Sequence, residues 1–355
     1  MRRRVLLAAP IAAPLLSPLL AAAPARAQPA GVTLEEFQVT SAPGIQLYLR
    51  NKRQEGAAAA RADRIVLCVH DGSFPASTSF DLPAGGVSWM DYMAGRGFDV
   101  WSVDLRNYGR STREAAMSQA GAPPAGAPLT PARDALADIA AAAAFIREKR
   151  GVPKLVHLGW GWGAGLMARF ATENAALVDR LVLYAPEWPA QPTASPPANG
   201  ATPPPAAAPA TLPPFRSLTR AEVRARWVEG VPDGKRAALF PAGWYEHWAD
   251  TTFGADPEGA RQVPSVLRVP NGAMSEAGRP PFDAARVTVP ALVTLAEWDR
   301  EAPPAQALAL FQAMTASPAK RLVLLGEGTH GIMLERNRGA LFQAVQVFLE
   351  EALTG

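Results

Sequence analysis

The chain has 355 residues, 48% of them hydrophobic, which is enough for one large core or a core plus a subdomain. Its 35 Lys and Arg against 32 Asp and Glu give a net charge of +3, but residues 1–27 hold four arginines and no acid, so residues 28–355 carry −1. No basic stripe points to a nucleic-acid partner, and Cys68, the single cysteine, excludes an intrachain disulfide.

The first residues read as an export signal. Arg2, Arg3 and Arg4 precede the apolar run VLLAAPIAAPLLSPLLAAA, and Ala25-Arg26-Ala27 is an A-x-A cleavage site before Gln28. The expectation is a periplasmic or secreted protein, cut near Ala27, with no stable membrane anchor afterwards. FQVT (37–40) and IQLYLR (45–50) predict two strands around the turn at Pro43-Gly44. RIVLCVH (64–70) is a continuous apolar run, as expected of a strand buried on both faces, with Cys68 as a packing residue. A helix near 87–96 and the strand FDVWSVD (98–104) follow, then a loop over 120–131. Thr130 as N-cap and Pro131 in the first helical position predict a helix, in which Leu136, Ile139, Ala143 and Ile146 recur at helical spacing. KLVHLG (154–159), the helix AGLMARFATENA and the strand RLVLYAP (180–186) continue the alternation.

The alternation then breaks. Residues 189–214 are rich in proline and alanine without apolar periodicity, and 215–265 are helical in character, with Trp227, Trp244, Tyr245 and Trp248. RVTVPALVTLA (286–296), a helix near 304–315, RLVLLG (321–326) and a helix near 336–353 restore it. Alternating strands and helices predict an α/β fold: a mainly parallel central sheet with helices on both faces. The interruption predicts an inserted, mainly helical lid. The chain thus divides into a signal (1–27), a first core part (28–188), a Pro/Ala-rich loop plus lid (189–285) and a second core part (286–355).

Ligands of such sheets sit at the carboxyl ends of the strands. The residues there are His70-Asp71-Gly72-Ser73, Asp104-Leu105-Arg106-Asn107-Tyr108-Gly109, Gly159-Trp160-Gly161-Trp162-Gly163, Glu297-Trp298-Asp299 and Gly328-Thr329-His330. LGWGWGAG resembles the G-W-S-W-G form of the G-x-S-x-G nucleophile elbow of α/β-hydrolases. DLRNYGRS is similar to that family's D-x-R-G-x-G-x-S segment, WDREAP to its acid loop and EGTHGIMLE to its histidine loop, in the family's chain order. The likeness spans residues from about 34 to 353 and is of the serine-hydrolase type.

The resemblance implies roles position by position. Gly161 stands at the nucleophile, Asp299 would orient His330, and His330 would be the general base and acid. Trp162, Gly72 and Ser73 would supply the oxyanion hole. Gly159 and Gly163 would let strand and helix pack closely. Trp160, His70, Trp244 and Trp248 are expected to line an apolar, aromatic substrate pocket. His157 and His247 read as packing residues, and Ser73 as a remote second candidate nucleophile.

Three positions depart from the family pattern. Glycine replaces the serine at 161, the loop that usually reads His-Gly reads His70-Asp71, and Asn107 stands for the glycine of D-x-R-G. Asp71 places a negative charge beside the oxyanion site unless it points to solvent. Three readings follow: a hydrolase of carboxylic esters or similar acyl substrates whose activity is weak, water-based through His330 and Asp299, or lost; a non-catalytic pseudoenzyme binding a small apolar or aromatic acyl ligand; and an engineered Ser-to-Gly variant. The sequence carries no metal-ligand spacing or nucleotide fingerprint, and no cofactor is expected.

Overall fold

The structure, a computed structural model, describes residues 31–56, 61–118, 129–189, 213–254, 260–266 and 280–352. The expected signal and cleavage site, and nearly all of the 120–131 and 189–214 segments, lie outside these residues. In chain order the strands are β1 (Val32–Ala42), β2 (Ile45–Gln54), β3 (Ile65–Val69), β4 (Asp99–Asp104), β5 (Leu155–Trp160), β6 (Val178–Tyr184), β7 (Phe215–Thr219), β8 (Ala260–Pro264), β9 (Ala291–Ala296) and β10 (Lys320–Leu325). The helices are α1 (Ala76–Ser79), α2 (Trp89–Ala94), α3 (Ala132–Arg150), α4 (Trp162–Glu173), α5 (Arg220–Trp227), α6 (Asp233–Arg236), α7 (Trp244–Phe253), α8 (Pro304–Ala313) and α9 (Arg338–Glu350).

The main sheet runs β1-β2-β4-β3-β5-β6-β9-β10. β1 and β2 are antiparallel, β2 meets β4 antiparallel, and the strands from β4 to β10 are parallel. Every residue of β3, β5 and β9 is buried, because helices cover both faces of the central strands. All six parallel strands therefore end on the same side of the molecule, where the loops singled out above converge.

Two local expectations are corrected. Pro131, not Thr130, is the N-cap of α3; the Thr130 hydroxyl instead accepts a hydrogen bond from Asn107 Nδ2 at 3.1 Å. The strand expected over 286–296 begins only at Ala291, after a 3₁₀ turn at Ala284–Arg286. The segment between β6 and β9 contains α5, α6 and α7 as expected, but also the two-stranded antiparallel sheet β7–β8, with Phe215 opposite Pro264. Thr219 and Glu222 close a reciprocal capping box on α5. α5 and α7 carry an aromatic cluster, Trp227, Tyr245 and Trp248, against Phe74 of the loop after β3. Among the described residues no helix is long and apolar enough to cross a membrane, and no group of His, Cys, Asp or Glu could hold a metal ion.

Candidate active site

The turn from β5 into α4 is built by absence of side chains. A Cβ on Gly159 would meet Gly163 O at 2.4 Å and Ala164 Cα at 2.6 Å, and one on Gly163 would meet His70 O at 2.3 Å. Gly161 sits between them with φ 56° and ψ −121°, a conformation that strains any other residue. Its N–H donates to Tyr184 O at 2.9 Å, which ties the elbow to β6.

Asp299, after β9, and His330, after β10, meet there. His330 Nδ1 lies 2.9 Å from Asp299 Oδ2. The other oxygen, Oδ1, accepts the backbone N–H groups of Glu301 at 2.9 Å and Ala302 at 2.8 Å, so the buried carboxylate is held at both ends. The histidine loop is fixed through its backbone: His330 O accepts Trp160 Nε1 at 3.0 Å and the Tyr184 hydroxyl at 2.6 Å. This geometry points Nε2 at the elbow; a Cβ on Gly161 would be 2.9 Å from it. Burial alone would lower the imidazole's pKa, but the charges of Asp299 and Glu301 and the hydrogen-bonding carboxylates outweigh it and hold the pKa well above the usual histidine range.

The oxyanion hole is where the site departs most from expectation. Asp71 is buried and points inward, not to solvent. Its Oδ1 accepts the N–H of Trp162, the first residue of α4, at 3.3 Å, and its Oδ2 accepts the N–H of Ser73 at 3.1 Å. Two of the three residues expected to donate to a substrate oxyanion thus donate to a carboxylate of the chain itself. Gly72, the third, accepts the Tyr108 hydroxyl at its carbonyl at 2.9 Å, and a Cβ on it would strike Val266 Cγ2 at 2.4 Å. Oδ1 of Asp71 lies 2.4 Å from the position of a Cβ on Gly161 and 4.0 Å from His330 Nε2. A carboxylate oxygen therefore stands beside the elbow where a seryl oxygen would otherwise project.

A cavity of about 280 Å³ opens on this cluster. One part of its wall is apolar, from Phe74, Trp160, Val223 and Trp227; another is charged, from Glu187, Arg226, Glu229, Arg300 and Glu301. The charged wall was not anticipated, and it makes the pocket mixed where the sequence predicted an apolar, aromatic one. Of the residues expected to line it, Trp160 does. His70 is buried instead, with Nε2 accepting the Leu105 N–H at 3.1 Å. Trp248 is buried in the aromatic cluster and Trp244 packs under the Arg338 guanidinium. Ser73 is buried, with its Oγ accepting Arg216 Nη2 at 2.9 Å. His157 is buried against Phe170, its pKa lowered to about 3 by desolvation, whereas His247 is exposed on α7 and does not pack in the core. Buried Cys68 has its thiol pKa raised by desolvation.

Two supports of the site escaped the sequence reading. Arg106 forks onto buried Asp138 of α3, through Nε at 2.9 Å and Nη2 at 2.7 Å, and fixes the loop after β4. Asn107 there takes a left-handed φ of 68°, which asparagine tolerates. Buried Glu335 accepts Trp227 Nε1 at 2.7 Å and the Thr329 N–H at 3.0 Å, so it couples the inserted segment to the histidine loop. Desolvation raises its pKa to about 7 against those hydrogen bonds.

Residues 65–337 match the family described as alpha/beta hydrolase fold. Among solved structures the chain is similar to the thioesterase domain from the curacin biosynthetic pathway (16% identity, 89% of this chain and 99% of that one, TM-score 0.55). It is also similar to a 2-hydroxy-6-oxo-6-phenylhexa-2,4-dienoate hydrolase from Rhodococcus sp. strain RHA1 (15% identity, 90% and 100%, TM-score 0.56) and to a thermophilic esterase from Thermogutta terrifontis (18%, 89% and 98%, TM-score 0.52). No curated protein sequence matches the chain.

Proposed function

The chain belongs to the α/β-hydrolase-fold family, and from that premise we propose that it is a hydrolase of small carboxylic esters or similar acyl substrates in which the His330–Asp299 dyad activates water in place of a serine. The observation that carries this reading is the placement of His330. Its Nδ1 is held by Asp299 at 2.9 Å, while Nε2 faces the elbow 4.0 Å from Asp71 Oδ1. One water hydrogen-bonded at ~2.8 Å to each group spans that distance, next to the cavity.

Two features make the ester activity weak. Glycine at 161 closes the acyl-enzyme route, and the Asp71 carboxylate competes with a substrate oxyanion for the N–H groups of Trp162 and Ser73. Loss of a single oxyanion donor costs about 10²–10³ in turnover in serine hydrolases. The same occupation of the hole favours the second reading, a non-catalytic pseudoenzyme that holds a small ligand in the cavity. The departures at Asp71 and Asn107, beyond the nucleophile itself, count against an engineered single change.

The test is a panel of short and aromatic activated esters presented to the protein and to His330→Ala. Turnover above the buffer rate that disappears in His330→Ala is expected; turnover at the buffer rate in both, with ligand binding retained, would replace the hydrolase by the binder. Export with cleavage near Ala27 is part of the proposal, and sequencing the N-terminus of the protein recovered outside the cytoplasm checks it.

A further inference from the structure

The features that weaken ester hydrolysis suit another substrate. We propose that Asp71 is itself a catalytic nucleophile, and that the site carries a further activity: hydrolysis of small alkyl compounds whose leaving group departs from a saturated carbon as an anion, an alkyl halide being the simplest. The proposal shares with the reading above the activation of water by His330 and Asp299, but not its acyl substrate.

Three placements support it. Asp71 Oδ1 lies beside the elbow, 2.4 Å from where a Cβ of residue 161 would be, and Asp71 is among the residues lining the cavity. Only glycine at 161 leaves room for that oxygen. Second, the N–H groups of Trp162 and Ser73 already hold the Asp71 carboxylate, at 3.3 and 3.1 Å. Donors so placed stabilise a tetrahedral centre formed on Asp71 Cγ rather than on a substrate carbonyl. Third, His330 Nε2, 4.0 Å from Oδ1, is close enough to deliver a water to that carbon.

The steps balance. A lone pair of Asp71 Oδ1 forms a bond to the substrate carbon as the carbon–halogen bond breaks, and the halide leaves with the bonding pair. Arg226, paired with Glu301 at 3.2 Å, and Arg300 are the cations on the cavity wall available to the departing anion. The product of this step is an alkyl ester of Asp71. His330 Nε2 then takes a proton from water, whose oxygen attacks Asp71 Cγ, and the resulting oxyanion forms on Oδ2, which the Ser73 N–H holds, while the Trp162 N–H stays on Oδ1, now the ester oxygen. Collapse breaks the bond between Cγ and the ester oxygen, and His330 returns its proton to the departing alkoxide. The alcohol leaves, and the new carboxyl group releases one proton to solvent. The net reaction is RX + H₂O → ROH + H⁺ + X⁻. Esterification also removes the Asp71 carboxylate from beside His330, which moves the imidazole's pKa downward, towards the neutral form that the second step needs, while Asp299 and Glu301 still raise it.

The experiment uses the full chain with short alkyl bromides and a benzylic bromide, and reads bromide release and the mass of the Asp71 peptide. Wild type is expected to release bromide continuously and, in H₂¹⁸O, to gain label in the Asp71 side chain. His330→Gln is expected to release one equivalent and stop, with the alkyl group trapped on Asp71. Asp71→Asn should release none. Bromide release at the buffer rate in wild type, or continued turnover without label in Asp71, overturns the proposal. Ester turnover that depends on His330 while Asp71 stays unlabelled and unalkylated would sink this activity and leave the water-based esterase standing.

Discussion

Replacing Gly161 by serine restores the family's nucleophile on paper, and the structure predicts that it fails. The new Cβ would stand 2.4 Å from Asp71 Oδ1 and 2.9 Å from His330 Nε2. The φ of 56° and ψ of −121° add backbone strain of about 1–3 kcal/mol for a residue with a Cβ. Overpacking a filled site adds about 1–3 kcal/mol more. Relief requires the carboxylate to rotate away, which breaks its hydrogen bonds to Trp162 and Ser73, each worth about 1.5–3 kcal/mol as a bond to a charged group. The first route costs about 2–6 kcal/mol and the second, with the backbone strain retained, about 4–9 kcal/mol, either of them a large share of the ~5–15 kcal/mol that keeps a domain folded. Equilibrium denaturation of wild type, Gly161→Ser, Asp71→Gly and the double variant measures it, with ester turnover read in parallel. The single Gly161→Ser is expected to be destabilised and to gain no ester turnover. The double variant, which also empties the hole and restores the glycine that the family's loop usually carries, is expected to recover stability relative to it and to gain turnover. A Gly161→Ser protein as stable as wild type, or one that hydrolyses esters as fast as the double variant, would refute the reasoning.

Glu335 makes stability depend on pH. Its folded pKa of about 7 lies above the ordinary 4.5, so its contribution is fully present below about 4.5 and is lost as pH rises through 7; unfolding midpoints of wild type should fall between pH 5 and 8 more steeply than those of Glu335→Gln. Arg106→Ala leaves the buried Asp138 carboxylate without its fork and should cost about 3–5 kcal/mol in denaturant unfolding, while a conservative change at exposed Arg133 should not. The pKa of His330, held above the histidine range, shifts the ascending limb of kcat/KM for ester hydrolysis to higher pH, because only the neutral imidazole is a base, whereas attack by Asp71 on an alkyl halide needs no neutral histidine and should show no such limb. A limb near 6.5 for ester hydrolysis would contradict the assignment of that histidine.

The parallel core was legible because its signals are local. Fully buried strands such as Ile65–Val69 and Ala291–Ala296 read as continuous apolar runs, and the polar residues that follow them mark the strand ends where the site lies. The boundary at 286–296 was lost because Val287 and Val289 are buried without being in the sheet, so an apolar alternation continues across a turn. Pro290 then precedes the first paired residue. The β7–β8 pair was missed for a different reason: Phe215–Thr219 and Ala260–Pro264 are five-residue strands far apart in the sequence, and neither carries a pattern by itself. Likewise the charged wall of the cavity joins Arg226 and Glu229, in and just after α5, to Arg300 and Glu301 after β9, a juxtaposition that exists only in three dimensions.

Asp71 and Gly161 were visible as two separate departures, each of which counted as damage to a serine hydrolase. Their meaning depends on the direction of one side chain, and nothing in the local sequence sets it. Had Asp71 faced solvent, glycine at 161 would leave a serine site lacking only its nucleophile. Because it faces inward, the two substitutions become a pair: the carboxylate needs the space that a Cβ would take, and the N–H groups freed from a substrate oxyanion supply the bonds that a buried anion requires. A buried carboxylate satisfied by backbone donors and set against a histidine that is itself held by Asp299 is a costly arrangement to preserve by accident. Positions 71 and 161 couple in stability by contact alone, so it is the coupling in turnover that separates decay from rebuilding: in a decayed site neither position carries turnover for the other to modulate, and in a rebuilt one activity needs the carboxylate at 71 and the glycine at 161 together.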